Sequence, residues 1–239
     1  MSVLTLVRHG QASYMSADYD KLSLAGEEQS ARLGRYWAKH GITFDRVYSG
    51  PSKRHRHTAA IAGEIVRAAG LAFPEPEIVP DFDEFDAFTM MRLMTPRLVE
   101  QDPAVRELNE DFEASRSTPE AGRKLQKLFE EVARHWATGT HVLDSGESWV
   151  QFRTRVSRAV DAIRVSAPPS TSSVVFTSGG PISAAIGHVL SLDHAKTIEF
   201  VWLSRNCSYA QFLFSGDRFS LHAFNAIPHL DDMKLLTYR

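Results

Sequence analysis

A single cysteine, Cys207, stands in 239 residues, so no disulfide can form within the chain and oxidative stapling is excluded. That usage fits a reducing compartment. Long apolar runs are missing as well. Nothing approaches the roughly 20 residues a membrane-spanning helix needs. The opening Met1-Ser2-Val3-Leu4-Thr5-Leu6-Val7 reaches Arg8 without the apolar stretch and cleavage site of a secretory signal. Excess charge of one sign is also absent. Lys and Arg number 27 against 29 Asp and Glu, which argues against nonspecific nucleic-acid binding, since that needs a broad cationic surplus. There is no Gly-x-x-x-x-Gly-Lys-Ser/Thr loop, no His-Glu-x-x-His helix and too little cysteine for a zinc cluster. The expectation is a soluble, cytoplasmic protein with no nucleic-acid or membrane partner.

What is present is ordinary globular material: 43% hydrophobic and 23% charged residues, enough for a sizeable core. Residues 3–7 read as a short buried strand, and a helix opens at Ser23 and runs to about His40, carrying Leu33, Tyr36 and Trp37 at helical spacing. Residues 46–49 form a second short strand and 54–69 a second helix. Residues 87–140 read as helical throughout, with Pro119 at the first position of the helix that contains 124–137. A further helix covers 147–165, and the buried strand 173–177 passes through Gly179-Gly180-Pro181 into a helix at 182–190. The end is strand-rich, at 198–203, 209–214 and 219–224, with Ser215-Gly216-Asp217-Arg218 as a hairpin turn. Alternating strands and helices predict an α/β fold, a three-layer α/β/α sandwich on a mostly parallel sheet. The whole of 1–239 reads as one domain, with 87–140 a helical insertion over the functional edge of the sheet.

Ligands of open α/β sheets bind beyond the carboxyl ends of the strands. Three such ends carry suggestive residues: Arg8-His9-Gly10-Gln11, then 49–54, then Ser178-Gly179-Gly180. A lone histidine is most often structural, but His9 is flanked by an arginine and by a glycine that lets backbone approach a ligand. An imidazole can attack phosphorus while guanidinium groups hold the equatorial oxygens. The cationic stretch Lys53-Arg54-His55-Arg56-His57 opens a helix, where the macrodipole disfavours cations. It reads either as a solvated basic face or as a phosphate site served by Arg54 and the helix end. Asp81-Phe82-Asp83-Glu84-Phe85-Asp86 is acidic but interleaved with Phe82, Phe85 and, beyond it, Phe88. Partial burial there would raise a carboxyl pKa toward that of a general acid.

Together these segments resemble the histidine phosphatase (phosphoglycerate mutase-like) superfamily. Leu6-Val7-Arg8-His9-Gly10-Gln11 is similar to its N-terminal signature. Leu22-Ser23 with Gly26 and Gln29 follows in order, as do Ser49-Gly50-Pro51-Ser52-Lys53-Arg54 with Thr58-Ala59, and Gly146-Glu147-Ser148 with Arg155-Val156. The resemblance implies a metal-independent phosphatase with no cofactor, in which His9 forms a phosphohistidine. Arg8 and Arg54 would bind the phosphoryl oxygens, together with Ser178, Gly179 and Gln11. Glu84, or its neighbour Asp83, would protonate the leaving group. The substrate would be a phosphorylated small molecule or a phosphoprotein. One departure stands out: where the family carries a second histidine in a Ser-His-Gly-Gly setting, this chain has Ser178. Two other readings follow from that serine. One is a silent phosphate-binding or regulatory module. The other is a serine esterase using Ser178 on a strand–turn–helix elbow, with Asp193 and His222 in workable chain order.

Overall fold

Apolar runs too short for helices become the centre of a sheet. The computed structural model describes residues 1–13, 20–139 and 145–238. Strands β1 (Ser2–Arg8), β2 (Arg46–Ser49), β3 (Glu77–Ile78) and β4 (Ser172–Thr177) run parallel. A C-terminal hairpin, β5 (Tyr209–Ser215) and β6 (Arg218–Ala226), adds two antiparallel strands beyond β1. The spatial order is β3-β2-β4-β1-β5-β6. The sheet is therefore mixed, with its parallel part confined to one side.

Near-continuous apolar strands are what a sheet covered on both faces requires. Val7, Val47, Val174 and Phe176 pack under α1 (Leu24–Lys39) and α2 (Lys53–Ala68), with Leu33, Trp37 and Phe73. The alternate residues Leu4, Leu6, Tyr48 and Val175 face the opposite layer. That layer holds α6 (Trp149–Ser166), α7 (Gly179–Val189) and α8 (His194–Leu203). Between η1 (Pro80–Phe82) and α6 lie α3 (Ala87–Gln101), α4 (Pro103–Ser115) and α5 (Ala121–Thr138). Asp102 caps α4 by accepting from the Ala104 amide, and its carboxylate also meets His135 of α5 at 3.0 Å. α5 rests on α8 through an edge-to-face contact of Phe129 with Trp202 at 5.1 Å, and on α6 through Trp136 and Trp149 at 5.3 Å. The expected end of the insertion, Thr140, lies outside the described residues.

Several sequence expectations need correcting. Residues 198–203 form the end of a helix and not a strand. The β-branched and aromatic run is overridden by an N-cap, because Asp193 accepts from the Lys196 amide at 2.7 Å. Thr197 then seats against Gly187, where an added Cβ would fall 2.4 Å from its hydroxyl. Pro119 sits in a turn before α5 and not within it, because Thr118 turns back onto the Ser115 carbonyl through both amide and hydroxyl. α7 begins at Gly179, three residues earlier than its apolar pattern implies. The two-residue strand β3 was not foreseen; both of its residues are exposed, so it has no apolar signature.

No described helix is long and apolar enough to cross a membrane.

Candidate active site

Register brings the functional strand ends level. Arg8 pairs with Thr177, Ser49 with Phe176 and Ser49 again with Ile78. The chain leaving each parallel strand therefore emerges on one edge of the sheet: His9 after β1, residues 50–55 after β2, Glu84 after β3 and Ser178 after β4. The three ends read from sequence do converge, and the unforeseen β3 brings the fourth.

His9 is held from every side. Its amide donates to Thr177 O at 2.8 Å, and its carbonyl accepts from Cys207 N at 3.1 Å and Asn206 Nδ2 at 3.4 Å. The imidazole is only 7% exposed and places Nδ1 2.7 Å from Gly10 O. A carbonyl can only accept, so the ring proton resides on Nδ1 and the Nε2 lone pair is free. Burial, then the charges of Arg54 and Arg8 and the neighbouring His55, hold this imidazole well below the ordinary histidine pKa. The imidazole is therefore neutral near pH 7. The flanking loop lies tight on α1: an added Cβ at Gly10 would fall 2.3 Å from Gly26 O.

The start of α2 is packed under that loop. Thr58 Oγ1 accepts from Gly10 N at 3.0 Å and donates to Arg54 O at 2.8 Å. Arg54 reaches the pocket side, where its Nη1 meets Asp20 at 2.9 Å. The same carboxylate accepts from Lys53 N at 2.7 Å and Arg54 N at 3.4 Å. Asp20 thus brings a carboxylate to this helix end, beside the cationic stretch 53–57. His55 points the other way and is completely buried, with Nε2 2.5 Å from Ser178 Oγ. Reading 53–57 as one basic stretch missed it. Its signal was periodicity, since His55 shares the buried face of α2 with Thr58, Ala59, Ala62 and Val66.

The acidic loop separates the two carboxylates of Asp83 and Glu84. Asp83 turns outward to accept from Ser52 Oγ at 2.6 Å and from Glu84 N at 3.0 Å. Glu84 turns inward, its Oε2 accepting from Gly180 N at 3.1 Å and its Oε1 from Phe85 N at 3.1 Å. Burial pushes the Glu84 carboxyl above its usual range, against the pull of those amides and of Arg54 and Arg8. Phe82 and Phe85 are buried as expected, whereas Phe88 is exposed. The loop is clamped by Arg155, which donates to Asp81 O at 2.7 Å and Asp83 O at 2.9 Å, and pairs with Glu147 at 2.6 Å. Thr177 Oγ1 ties the same loop to β4 through Phe82 O at 2.6 Å.

Gly180 is the contact point between this carboxylate and α7. An added Cβ there would fall 2.0 Å from Glu84 Oε1 and 2.9 Å from the Phe85 ring. Gly180→Ala is expected to destabilise the fold by about 1–3 kcal/mol through overpacking. It should also push Glu84 out of register. The test is a thermal melt beside a turnover assay; an unchanged melting point would contradict the close approach.

The remaining residues have definite places. Arg8 donates to Ser204 O at the end of α8 and passes beside Gly179, whose added Cβ would stand 3.8 Å from Arg8 Nε. Gln11 uses its carboxamide oxygen to accept from Ser23 Oγ at 2.9 Å, and its amide donates to Gln29 at 2.8 Å. Ser178 lies at the N-cap of α7. The esterase constellation does not assemble: Asp193 caps α8, and the imidazole at Ser178 is His55, not His222. His229 packs near Tyr36, with ring centroids 6.3 Å apart. Met90 and Met94 are core packing.

The chain matches the histidine phosphatase superfamily (branch 1) over residues 4–134 and 94–227. Over 64 residues it is 38% identical to the broad-specificity phosphatase YOR283W of Saccharomyces cerevisiae, a stretch covering 24% of this chain and 28% of the yeast protein. The match thus spans little more than a quarter of that curated relative. Among solved structures, the fold is similar to a mycobacterial glucosyl-3-phosphoglycerate phosphatase in complex with inorganic phosphate. The TM-score is 0.63 at 20% identity, over 96% of this chain and 99% of that one. It is also similar to phosphoserine phosphatase from Entamoeba histolytica in complex with 3-phosphoglyceric acid. There the TM-score is 0.62 at 16% identity, over 96% and 99% of the two chains. By matched length and by motif order, the chain belongs to the histidine phosphatase superfamily.

Proposed function

We propose that the protein hydrolyses phosphomonoesters through a phosphoryl group carried on His9. The observation that carries this reading is the buried, neutral imidazole of His9, with Nδ1 tied to Gly10 O and Nε2 left free. The Nε2 lone pair attacks phosphorus, and the bond from phosphorus to the leaving oxygen breaks. Glu84, favoured over Asp83 by its inward turn and raised pKa, gives its proton to that oxygen. Water then attacks the phosphohistidine, Glu84 takes up its proton, and phosphate leaves with the imidazole restored. Arg8 and Arg54 offset the charge on the equatorial oxygens, aided by the amide end of α7 at Gly179. In this reading Gln11 supports the loop through Ser23 and Gln29 in addition to any contact with phosphate.

The substrate is proposed to be a phosphorylated small molecule, as phosphoserine and glucosyl-3-phosphoglycerate are for the two phosphatases of similar fold. The helices α3–α5 adjoin the Glu84 loop through Phe85 and Trp136, 4.9 Å apart, and are proposed as the insertion that reads the leaving group.

The test is incubation of the purified protein with an aryl phosphate. Phosphate release is followed, together with an acid-labile adduct by intact mass. Turnover with such an adduct is the expected result. Phosphate binding without release would instead support a silent phosphate-binding module.

A further inference from the structure

One of the buried titratable groups that the mechanism above leaves unused lies beside His9. His55 is 0% exposed, and its ring lies 5.6 Å from that of His9, centroid to centroid. Its Nε2 meets Ser178 Oγ at 2.5 Å, while its Nδ1 has no hydrogen-bond partner among the described residues. Ser178 is unusual in turn. It occupies the N-cap of α7, yet its hydroxyl caps no helix amide. At the N-caps of α1, α6 and α8 the side chains of Ser23, Ser148 and Asp193 do accept from the helix. The Ser178 hydroxyl has been turned from the helix to the imidazole. Ser178 also directly follows Thr177, whose carbonyl holds the amide of His9.

We propose that His55 is a positioning residue that orients the Ser178 hydroxyl as a hydrogen-bond donor to the phosphoryl group transferred at His9. The proposal rests on the phosphatase reading and deepens it. Proton placement carries the argument. Burial and the charge of Arg54 keep His55 neutral, so the ring has one proton for two nitrogens. A proton on Nδ1 would be a buried N–H without an acceptor, walled in by Gly50, whose added Cβ would fall 2.4 Å away. A proton on Nε2 has an acceptor in Ser178 Oγ. That oxygen then accepts from His55, and its own single proton is released toward the pocket. The opposite arrangement would present a phosphoryl oxygen with serine lone pairs only. An imidazole on α2 and a hydroxyl on α7 thereby supply, from two elements, one oriented donor.

The experiment measures kcat/KM for an aryl phosphate and affinity for orthovanadate, an oxyanion probe, in wild type, His55→Ala, His55→Gln, Ser178→Ala and the double alanine variant. Thermal melts establish that each is folded. His55→Ala and Ser178→Ala are each expected to lose about 10²- to 10³-fold, in line with removal of one transition-state donor. The double variant should be no worse than the worse single variant within about threefold, because both remove the same interaction. His55→Gln should recover most of the loss, since its amide N–H can still donate to Ser178. Multiplying losses, a fully active His55→Ala, a His55→Gln variant as impaired as Ser178→Ala, or a phosphoryl adduct on Ser178 would each overturn the proposal. A wild type without turnover sinks the phosphatase reading alone. The same pattern, or its failure, is then read in orthovanadate affinity. If His55→Ala does not fold, His55→Gln against Ser178→Ala decides.

Discussion

His9→Ala is expected to reduce turnover of an aryl phosphate by about 10⁴-fold or more, the scale on which enzymes lose rate with their nucleophile. The acid-labile phosphoryl adduct should vanish with it. The loss should be in kcat, with orthovanadate still bound, because Arg8 and Arg54 remain. A fold-level explanation is separable: His9 is also held by three backbone and side-chain hydrogen bonds through its own amide and carbonyl, which alanine keeps. A melting point close to wild type is therefore expected. The pH profile of the wild type carries a second signature. His9 reacts only when neutral, so kcat/KM rises with pH through its pKa. Burial and the two arginines depress that value, which places the acid limb below the ordinary histidine value of about 6.5. Activity should already be at its plateau there, as far as this group is concerned. An acid limb centred at or above about 6.5, or an adduct that survives His9→Ala, would show that another group carries the phosphoryl.

Much of this site was legible because its chemistry sits at the ends of strands whose apolar runs are easy to read. Arg8-His9 follows β1 at once, and the register of β1, β4 and β2 leaves little freedom in where the three ends meet. The illegible parts have physical reasons. β3 is two exposed residues long, paired to Tyr48 and Ser49 by backbone alone, so no hydrophobic period could announce it. Without β3, the choice between Asp83 and Glu84 had no geometric basis. The residue pattern could not say which carboxylate turns toward Gly180. Residues 198–203, the second half of α8, read as a strand because Ile198, Phe200 and Val201 favour sheets in isolation. Its cap at Asp193 and its packing on Gly187 are tertiary facts. Asp20 precedes α2 by more than thirty residues, a separation at which no local spacing rule links a carboxylate to a helix end. His55 was hidden by its neighbours. Surrounded by Lys53, Arg54, Arg56 and His57, it passed for solvated charge, although the 3.6-residue period of α2 turns it inward.

Glu84→Gln is the variant in which acid catalysis and simple damage can be told apart by the choice of leaving group. An alkoxide is a poor leaving group and needs its proton in the transition state, whereas a nitrophenolate departs as a stable anion. A general acid contributes about 10²–10⁴-fold, so kcat/KM for an alkyl phosphate should fall by that factor and for a nitrophenyl phosphate by less than about tenfold. The wild type should lose activity toward the alkyl phosphate as pH rises through the Glu84 pKa, since only the protonated form can donate. Burial has moved that limb above the usual carboxyl range. A bound phosphate monoester, bringing like charge, moves it further in the same direction. Glutamine does not titrate, and the alkaline limb assigned to this group should disappear. The substitution has a structural cost that must be measured beside it. Glu84 accepts from both Gly180 N and Phe85 N, and a carboxamide has one accepting oxygen for two donors. An opposed N–H there costs about 1–3 kcal/mol, visible as a lower melting point. Misfolding or a displaced loop would lower both substrates alike. Equal losses on the alkyl and nitrophenyl esters, with the alkaline limb intact, would therefore remove Glu84 from the acid role and return attention to Asp83, whose carboxylate now serves Ser52.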